Sequence, residues 1–273
     1  MGKSSIRTKV LLCALVIAKL LFTGCGSVPL TGRRQVLLVS DKEVFEAGLT
    51  QYNEYIAEAQ LSSDAKATAM VKSVGKRLSE ATERYLKANG FESELANLQW
   101  EFNLVKNNEV NAFCMPGGKI VVYEGLLSVA QTEAELAAVV GHEIGHAVAK
   151  HSNERMSQQI MTQYGMAILS QALSQKSAAV KTVATSVFGL GAQVGLMLPY
   201  SRKHEYEADY MGIVFMEIAG YDSNSALEFW TKMAAGGGNT NDFLSTHPSD
   251  NKRIAQISKR IPEAQAIGKS MNQ

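Results

Sequence analysis

The sequence at residues 132–151 is TEAELAAVVGHEIGHAVAKH. Thr132 followed three residues later by Glu135 is a capping-box pattern, which predicts that a helix begins here. An apolar stripe at helical spacing predicts that one face is buried; it comprises Leu136, Val139, Val140 and Ile144. Gly141 and Gly145 cost helix stability, but they allow another backbone or a substrate to come close. The stretch therefore predicts a core helix with polar residues embedded in it.

This helix contains an H-E-x-x-H motif at residues 142–146. Because His142 and His146 are four residues apart, they lie on one helical face, where both imidazoles can bind one zinc ion. Glu143 can then take a proton from a water molecule held by that ion. An exposed helix with the same three residues is the alternative, since three fixed positions also occur by chance. The buried context favours the first interpretation, which is metal-assisted hydrolysis.

A third zinc ligand has to come from elsewhere in the chain. The metzincin pattern requires a histidine six residues after His146, and the chain has Ser152 there. His151 lies one position earlier, about 180° round the helix axis from His142 if the helix continues. We interpret His151 as a helix C-terminal histidine that the helix dipole favours, rather than as a ligand.

A second polar helix is the better source of that ligand. Ser201 can cap a helix in which Glu205 and Asp209 lie on one face, four residues apart. One of these carboxylates can bind zinc while the other accepts a hydrogen bond from a ligand histidine or a zinc-bound group. A solvated helical face is the alternative, but the apolar residues that continue this helix favour a buried site.

Four segments together resemble the CAAX prenyl protease/HtpX family of gluzincin zinc metallopeptidases, and most closely its soluble periplasmic lipoprotein members. They occur in the family's order, span roughly residues 100–260, and lie at residues 111–118, 142–146, 201–209 and 245–254. The resemblance implies an α+β fold, mostly α, with a small β-sheet. It also implies one Zn²⁺ per chain, bound by His142, His146 and Glu205, with Glu143 as the general base.

The resemblance leaves two alternative roles open for each of two further residues, Asp209 and His247. Asp209 matches an acid that is either a proton donor or the partner of a ligand histidine. Its chemistry favours the second role, because a carboxylate that holds an imidazole N–H should stay ionised. His247, in Ser245-Thr246-His247-Pro248, is either part of a simple turn or a fourth zinc ligand. A fourth ligand would displace the catalytic water and hold the enzyme shut.

A β-branched run at Lys119–Tyr123 follows Pro116-Gly117-Gly118 and predicts a short strand. By resemblance, gluzincins bind an extended peptide along an edge strand through main-chain hydrogen bonds. We therefore expect this strand to be an edge, although an ordinary inner strand is the alternative. The candidate substrate-binding residues are Asn111, Gly118, Lys119, Ile120 and Val121.

The first 24 residues are typical of a lipoprotein signal peptide, with a basic start and an apolar run. The sequence Phe22-Thr23-Gly24-Cys25 predicts cleavage before Cys25 and lipid on its thiol, with an uncleaved anchor or a plain signal peptide as alternatives. The residue after Cys25 is Gly26 and not an acidic residue of the kind that retains lipoproteins in the inner membrane. By resemblance we therefore expect a lipid anchor in the bacterial outer membrane, facing the periplasm. More than one acyl chain gives stable anchoring.

Residues 25–40 are predicted to be an extended tether, and residues 41–273 a single zinc metallopeptidase domain. Periodicity predicts helices at 41–59, 64–88, 132–151, 153–175, 201–219, 224–235 and 250–260, and a strand at 98–105 that pairs near Ile120. Residues 177–199 are apolar and rich in small residues, which fits either a lid over the site or a membrane span.

The function predicted from these features is a zinc metalloendopeptidase that degrades unfolded or misassembled envelope proteins. A chaperone-like module for outer-membrane protein assembly, using the same cleft with little turnover, is the alternative. A hydrolase of small molecules fits the substrate strand less well. Without residues 1–24 the chain has 23 basic and 26 acidic residues, a net charge of −3 that does not suggest nucleic acid as a partner. The oligomeric state, natural substrate and cleavage preference are left open.

Overall fold

The computed structural model describes residues 25–172, 200–235 and 251–273, together with Phe243 and His247. Helices dominate this part of the chain, as the α+β, mostly α prediction expects. Their bounds are α1 Asp41–Glu58, α2 Ala65–Ala88, α3 Glu133–Val148, α4 His151–Ala172, α5 Arg202–Ile218, α6 Asn224–Ala234 and α7 Asn251–Met271. The seven predicted helices are all found, and α7 is longer than predicted because it continues through Pro262.

Side-chain caps explain where the helices that form the site begin. Thr132 accepts the backbone N–H of Glu135, and the Glu135 side chain bonds the Thr132 N–H, so α3 starts with the predicted capping box. Ser201 accepts the N–H of His204 at the start of α5. These bonds satisfy N–H groups that a first helical turn leaves without partners.

The main sheet has three strands, β3 Glu101–Val105, β4 Ala112–Met115 and β5 Lys119–Tyr123, in the order β3-β5-β4. Strand β5 pairs in parallel with β3 and antiparallel with β4. The prediction that Lys119–Tyr123 is an edge strand is therefore wrong. All five residues of β5 are buried, and a strand covered on both faces has a continuous apolar run rather than an alternating one.

Strand β4 is the edge strand that faces the core helix, since it packs against α3. The turn from β4 into β5 contains Gly117 and Gly118, which have φ values of +89° and +79°. Residues with a Cβ rarely adopt this conformation, so the two glycines allow the tight reversal expected from the sequence.

The N-terminal segment is also folded, contrary to the prediction of an extended tether at residues 25–40. Strands β1 Cys25–Ser27 and β2 Arg34–Val36 pair antiparallel as a hairpin, with Cys25 opposite Val36. Val28 is fully buried, and Arg33 bonds carboxylates of α4 and α5. These apolar and ionic contacts hold the segment against the helices.

Helices α3 and α5 cross at glycines. A Cβ at Gly145 would lie 2.7 Å from the carbonyl oxygen of Ala208, and one at Gly141 would lie 3.1 Å from the carbonyl oxygen of Gly212. Glycine therefore lets the two backbones approach as the sequence predicts. This close crossing brings the polar face of α5 onto the histidines of α3.

None of the helices in the described ranges is long and apolar enough to span a bilayer. Residues 1–24 and residues 177–199 lie outside those ranges, so the predicted signal peptide and the choice between lid and membrane span stay predictions.

Candidate metal centre

Four ligand atoms from three parts of the chain meet inside the protein. They come from His142, His146, Glu205 and His247, lie within 4.8 Å of one another, and belong to buried residues. We call these four residues the ligand cluster. The structure thus brings together the three ligands expected from the sequence and adds the histidine whose role was left open.

The spacing within the ligand cluster matches a tetrahedral zinc site. The Nε2 atom of His142 lies 3.0 Å from Nε2 of His146 and 3.2 Å from Nδ1 of His247. The Oε2 atom of Glu205 lies 3.4 Å from Nε2 of His142. Its Oε1 atom lies 3.5 Å from Nε2 of His146 and 3.3 Å from Nδ1 of His247. Zinc bonds of about 2.05 Å in tetrahedral geometry place ligand atoms about 3.3 Å apart.

Proton positions in the ligand cluster also favour a cation. The Nδ1 atom of His142 bonds Asp209 at 2.9 Å, so a neutral His142 presents a bare lone pair at Nε2. The Oε2 atom of Glu205 is buried and makes no well-aligned hydrogen bond, although Nη1 of Arg253 lies 3.2 Å from it. Lone pairs that face one another in a dry site repel unless a positive charge lies among them. The residues present therefore fit a zinc ion.

Glu143 lies beside the ligand cluster on α3. Its Oε1 atom is 3.4 Å from Nε2 of His247 and is buried without a hydrogen-bond partner. Burial raises the pKa of Glu143 to about 7, against the charges of His247 and Arg253 and a bond from the backbone of Cys114, all of which lower it. A carboxyl that titrates near neutrality can accept and release a proton at working pH.

Asp209 connects His142 to a buried arginine. Arg253 donates to Asp209 through Nε at 2.6 Å and Nη2 at 2.8 Å. Burial favours the neutral acid, but the charge of Arg253 and the hydrogen bonds from His142 and Arg253 lower the pKa of Asp209. An ionised carboxylate that accepts the Nδ1–H of a histidine fixes the ring's orientation and tautomer. The geometry favours this partner role over that of proton donor.

His247 enters the ligand cluster from outside the regular helices. It is buried, its N–H bonds the carbonyl oxygen of Phe243 at 2.9 Å, and its ring stacks on that of Phe243 with centroids 4.4 Å apart. The aromatic contact and the hydrogen bond hold the imidazole over the site.

The candidate substrate-binding residues are divided between two strands. Asn111 precedes β4, and its side-chain oxygen accepts the N–H of Ala112 at 2.9 Å. Gly118 precedes the inner strand β5, to which Lys119, Ile120 and Val121 belong, and Lys119 pairs with Glu101 at 3.3 Å. These four residues do not form a free edge, because β5 is paired on both sides.

Sequence reasoning missed three buried residues that contact the site. The Tyr200 ring stacks on His146 with centroids 3.9 Å apart. His151, predicted to be a helix C-terminal histidine, is instead the first residue of α4, and its ring bonds that of His146. Burial lowers the pKa of both His146 and His151 well below the usual range, so both rings are neutral. Arg253 lies in a segment quoted for the family resemblance, which was the one available indication of its importance.

The model of peptidase family M48 matches residues 72–261. The chain belongs to peptidase family M48. It is a zinc metalloprotease, and the ligand cluster lies within the matched region. The predicted membership in a family of gluzincin metallopeptidases is confirmed, while the CAAX prenyl protease/HtpX-like assignment and the periplasmic lipoprotein type stay proposals.

Named relatives of this M48 peptidase include mitochondrial and bacterial enzymes. The mitochondrial metalloendopeptidase OMA1 of Schizosaccharomyces pombe is 33% identical over 89% of this chain and 68% of its own length. That of Arabidopsis thaliana is 39% identical over 68% of the chain, but the match spans only 36% of the plant protein. The beta-barrel assembly-enhancing protease of Escherichia coli is 28% identical over 74% of the chain and 40% of its own length.

Proposed function

We propose that this M48 peptidase is an endopeptidase in which His142, His146 and Glu205 bind one zinc ion. The convergence of these ligand atoms at spacings of 3.0–3.5 Å carries the proposal. When bound, zinc polarises a substrate carbonyl and acidifies a water molecule. The chain's own residues then hold the site in shape and move the proton.

Glu143 is the proposed general base. Its carboxylate takes a proton from the attacking water and delivers it to the leaving amine, a transfer that its pKa of about 7 suits. Asp209 keeps His142 oriented, and Arg253 keeps Asp209 ionised. The water-excluded surroundings of these groups strengthen each of these charge interactions.

The edge of β4 that does not pair with β5 is the proposed place for substrate. The N–H of Tyr123 bonds the carbonyl oxygen of Asn111. In an antiparallel pair every second residue bonds the partner strand, so the backbone N–H and C=O groups of Ala112 and Cys114 point away from β5. Cys114 bonds Glu143 on that side. A peptide added along this edge would therefore lie beside the general base. All four residues of β4 are buried, and the Ala112 N–H already bonds the Asn111 side chain, so the side chains that cover this edge must move first.

Unfolded or misassembled envelope proteins are the proposed substrates, and the outer membrane, reached through lipidated Cys25, is the proposed location. Main-chain recognition along a strand suits extended segments of many sequences. The lipobox-like sequence before Cys25 supports the location. The similarity to a beta-barrel assembly-enhancing protease supports misassembled proteins as substrates. Labelling with radioactive palmitate tests the lipid anchor. The wild type should incorporate the label and Cys25→Ser should not. Equal labelling of both proteins would contradict lipidation at this residue.

The direct test of the proposed function compares full-length zinc-loaded protein with Glu143→Gln on unfolded casein. We expect fragments from the wild type, and a rate about 10²–10⁴-fold lower from the variant, because the general base is lost while the ligands are kept. Equal zinc content in both proteins controls for metal loss. Equal cleavage by both would contradict the role of Glu143. Intact casein retained by a zinc-loaded wild type without fragments would favour the chaperone-like alternative.

A further inference from the structure

His146 bonds a second histidine on the side away from the ligand cluster. Its Nδ1 atom lies 2.9 Å from Nδ1 of His151, and Nε2 of His151 lies 2.9 Å from Oε2 of Glu207. His151 is fully buried and Glu207 is nearly so. Three side chains from α3, α4 and α5 thus form one continuous hydrogen-bonded row.

Only one arrangement of protons satisfies this row with Glu207 ionised. The Nε2 atom of His146 faces the ligand cluster and must present a lone pair there, so its proton is on Nδ1. That Nδ1–H donates to Nδ1 of His151, which leaves the His151 proton on Nε2. The His151 Nε2–H then donates to the Glu207 carboxylate. Each bond therefore fixes the tautomer of the next ring.

This row does for His146 what Asp209 does directly for His142. A carboxylate behind a ligand histidine orients the ring and makes it a stronger ligand. For His146, the Glu207 carboxylate acts across one intervening imidazole.

The outer end of the row is held by the N-terminal hairpin. Arg33 donates to Glu207 through Nε at 2.7 Å, and the Thr31 hydroxyl bonds the other oxygen of the same carboxylate. The guanidinium of Arg33 also bonds both oxygens of Glu154, at 3.0 Å and 2.8 Å. Arg33 therefore joins the hairpin to α4 and α5 at the carboxylate that holds His151.

The ring of His204 supports the same arrangement. It stacks on His151 with centroids 4.3 Å apart and an interplanar angle of 20°, and its Nε2 lies 3.1 Å from Glu154. His151 is thus fixed by two hydrogen bonds in its plane and by a ring on its face.

We propose that His151 and Glu207 are positioning residues for the zinc ligand His146, and that Arg33 makes the N-terminal hairpin part of the metal centre. The proposal rests on the proposed role of His146 as a zinc ligand. It predicts that changes in the hairpin, far from the zinc in sequence, alter the affinity and geometry of metal binding.

The test measures zinc affinity of the full-length protein by competition with a chelating dye, and the visible spectrum after substitution with Co²⁺. We expect His151→Ala to weaken zinc binding about 10–100-fold, in the range found for partners of ligand histidines. Glu207→Gln and Arg33→Gln should weaken it severalfold and shift the cobalt bands. Arg34→Gln is the matched control, because Arg34 is the exposed neighbour on the same hairpin.

A double-mutant cycle separates positioning from mere stabilisation. If Glu207 acts on the metal through His151, Glu207→Gln should have no further effect on zinc affinity in a His151→Ala background. A purely structural role would lower the melting temperature equally in both backgrounds. A purely structural role would also leave the zinc affinity and the cobalt spectrum of the variants at wild-type values. That result would overturn the proposal. Glu207→Gln keeps the side-chain volume, so it carries the test if His151→Ala does not fold.

His146→Ala distinguishes this proposal from the proposed function. Wild-type zinc affinity in His146→Ala would contradict the ligand assignment itself. Loss of zinc in His146→Ala, combined with unchanged affinity in folded Glu207→Gln and Arg33→Gln, would refute the positioning row alone.

Discussion

At the scale of single residues, the metal centre depends on carboxylates whose charge is set by their partners. Asp209 and Glu205 are both buried, yet Arg253 contacts each of them, at 2.6 Å and 3.2 Å. Because burying an unpaired charge costs several kcal/mol, one arginine allows two carboxylates to stay ionised in the core. Burial and the charge of Arg253 lower the pKa of His142, but its hydrogen bonds to Asp209 and Glu205 raise it above the ordinary value.

Asp209→Asn should weaken zinc binding about 10–100-fold, because His142 loses the carboxylate that orients it. It should also destabilise the fold by as much as about 3 kcal/mol, since Arg253 keeps its charge and loses its best partner. Chelator competition and thermal unfolding measure the two effects, with Glu263→Gln as a control that removes a half-exposed carboxylate. Unchanged zinc affinity with a lower turnover rate would instead identify Asp209 as a proton donor.

His247→Ala should raise the rate of casein cleavage severalfold at saturating zinc. The Nδ1 atom of His247 lies 3.2 Å from Nε2 of His142, close enough for His247 to take the coordination position that a catalytic water requires. Removing the imidazole should open that position and weaken zinc binding at the same time, because one ligand is lost. If turnover and the cobalt spectrum of the variant match those of the wild type, His247 does not hold the fourth position.

At the scale of elements, the site depends on how closely α3 and α5 cross. Glu205 reaches the histidines because glycines on both helices remove side chains from the contact. The same crossing places Asp209 behind His142 and Glu207 behind His151. One helix of seventeen residues, α5, therefore supplies a ligand and both supporting carboxylates.

Gly145→Ala should separate these two helices. Its Cβ would lie 2.7 Å from a backbone oxygen that cannot swing away as a side chain can. We expect a loss of about 1–3 kcal/mol from overpacking, in spite of the gain of about 1 kcal/mol that alanine brings to an isolated helix. Zinc affinity should fall as well, since Glu205 moves with α5. Denaturant unfolding and chelator competition check this, and a more stable variant with full zinc affinity would contradict it.

At the scale of the whole molecule, an ionic cluster joins the N-terminal hairpin to the helices. Burial would raise the pKa of Glu154, but hydrogen bonds and charge from His204 and Arg33 lower it from 4.5 to about 2. The carboxylate therefore stabilises the folded state fully at pH values above 4.5. That contribution is lost as the pH falls toward 2, because the folded state must then take up the proton.

Glu154→Gln should accordingly destabilise the protein more at pH 6 than at pH 3. The variant lacks the ionisable group, so its unfolding free energy should approach that of the wild type as the acid protonates. Denaturant unfolding at a series of pH values measures the difference between the two proteins. A difference that stays constant over this range would show that Glu154 does not titrate with folding.

The sequence by itself determined the helices and half of the metal centre. Capping pairs, apolar stripes and the spacing of His142 and His146 are local, so they are fixed by the geometry of one helix. The spacing of Glu205 and Asp209 also placed both on one face of a helix, and the family resemblance then indicated that Glu205 is the zinc ligand. These residues stand on single helical faces, which periodicity describes well.

Only the tertiary structure decided which residues surround those ligands. Strand order made β5 an inner strand and β4 the edge, because register between strands is set by non-local pairing. Arg33 meets Glu207 across 174 positions and Arg253 meets Asp209 across 44. Contacts of this kind leave no local period in the sequence, so the hairpin, the role of Arg253 and the partners of His146 emerge only when the chain is folded.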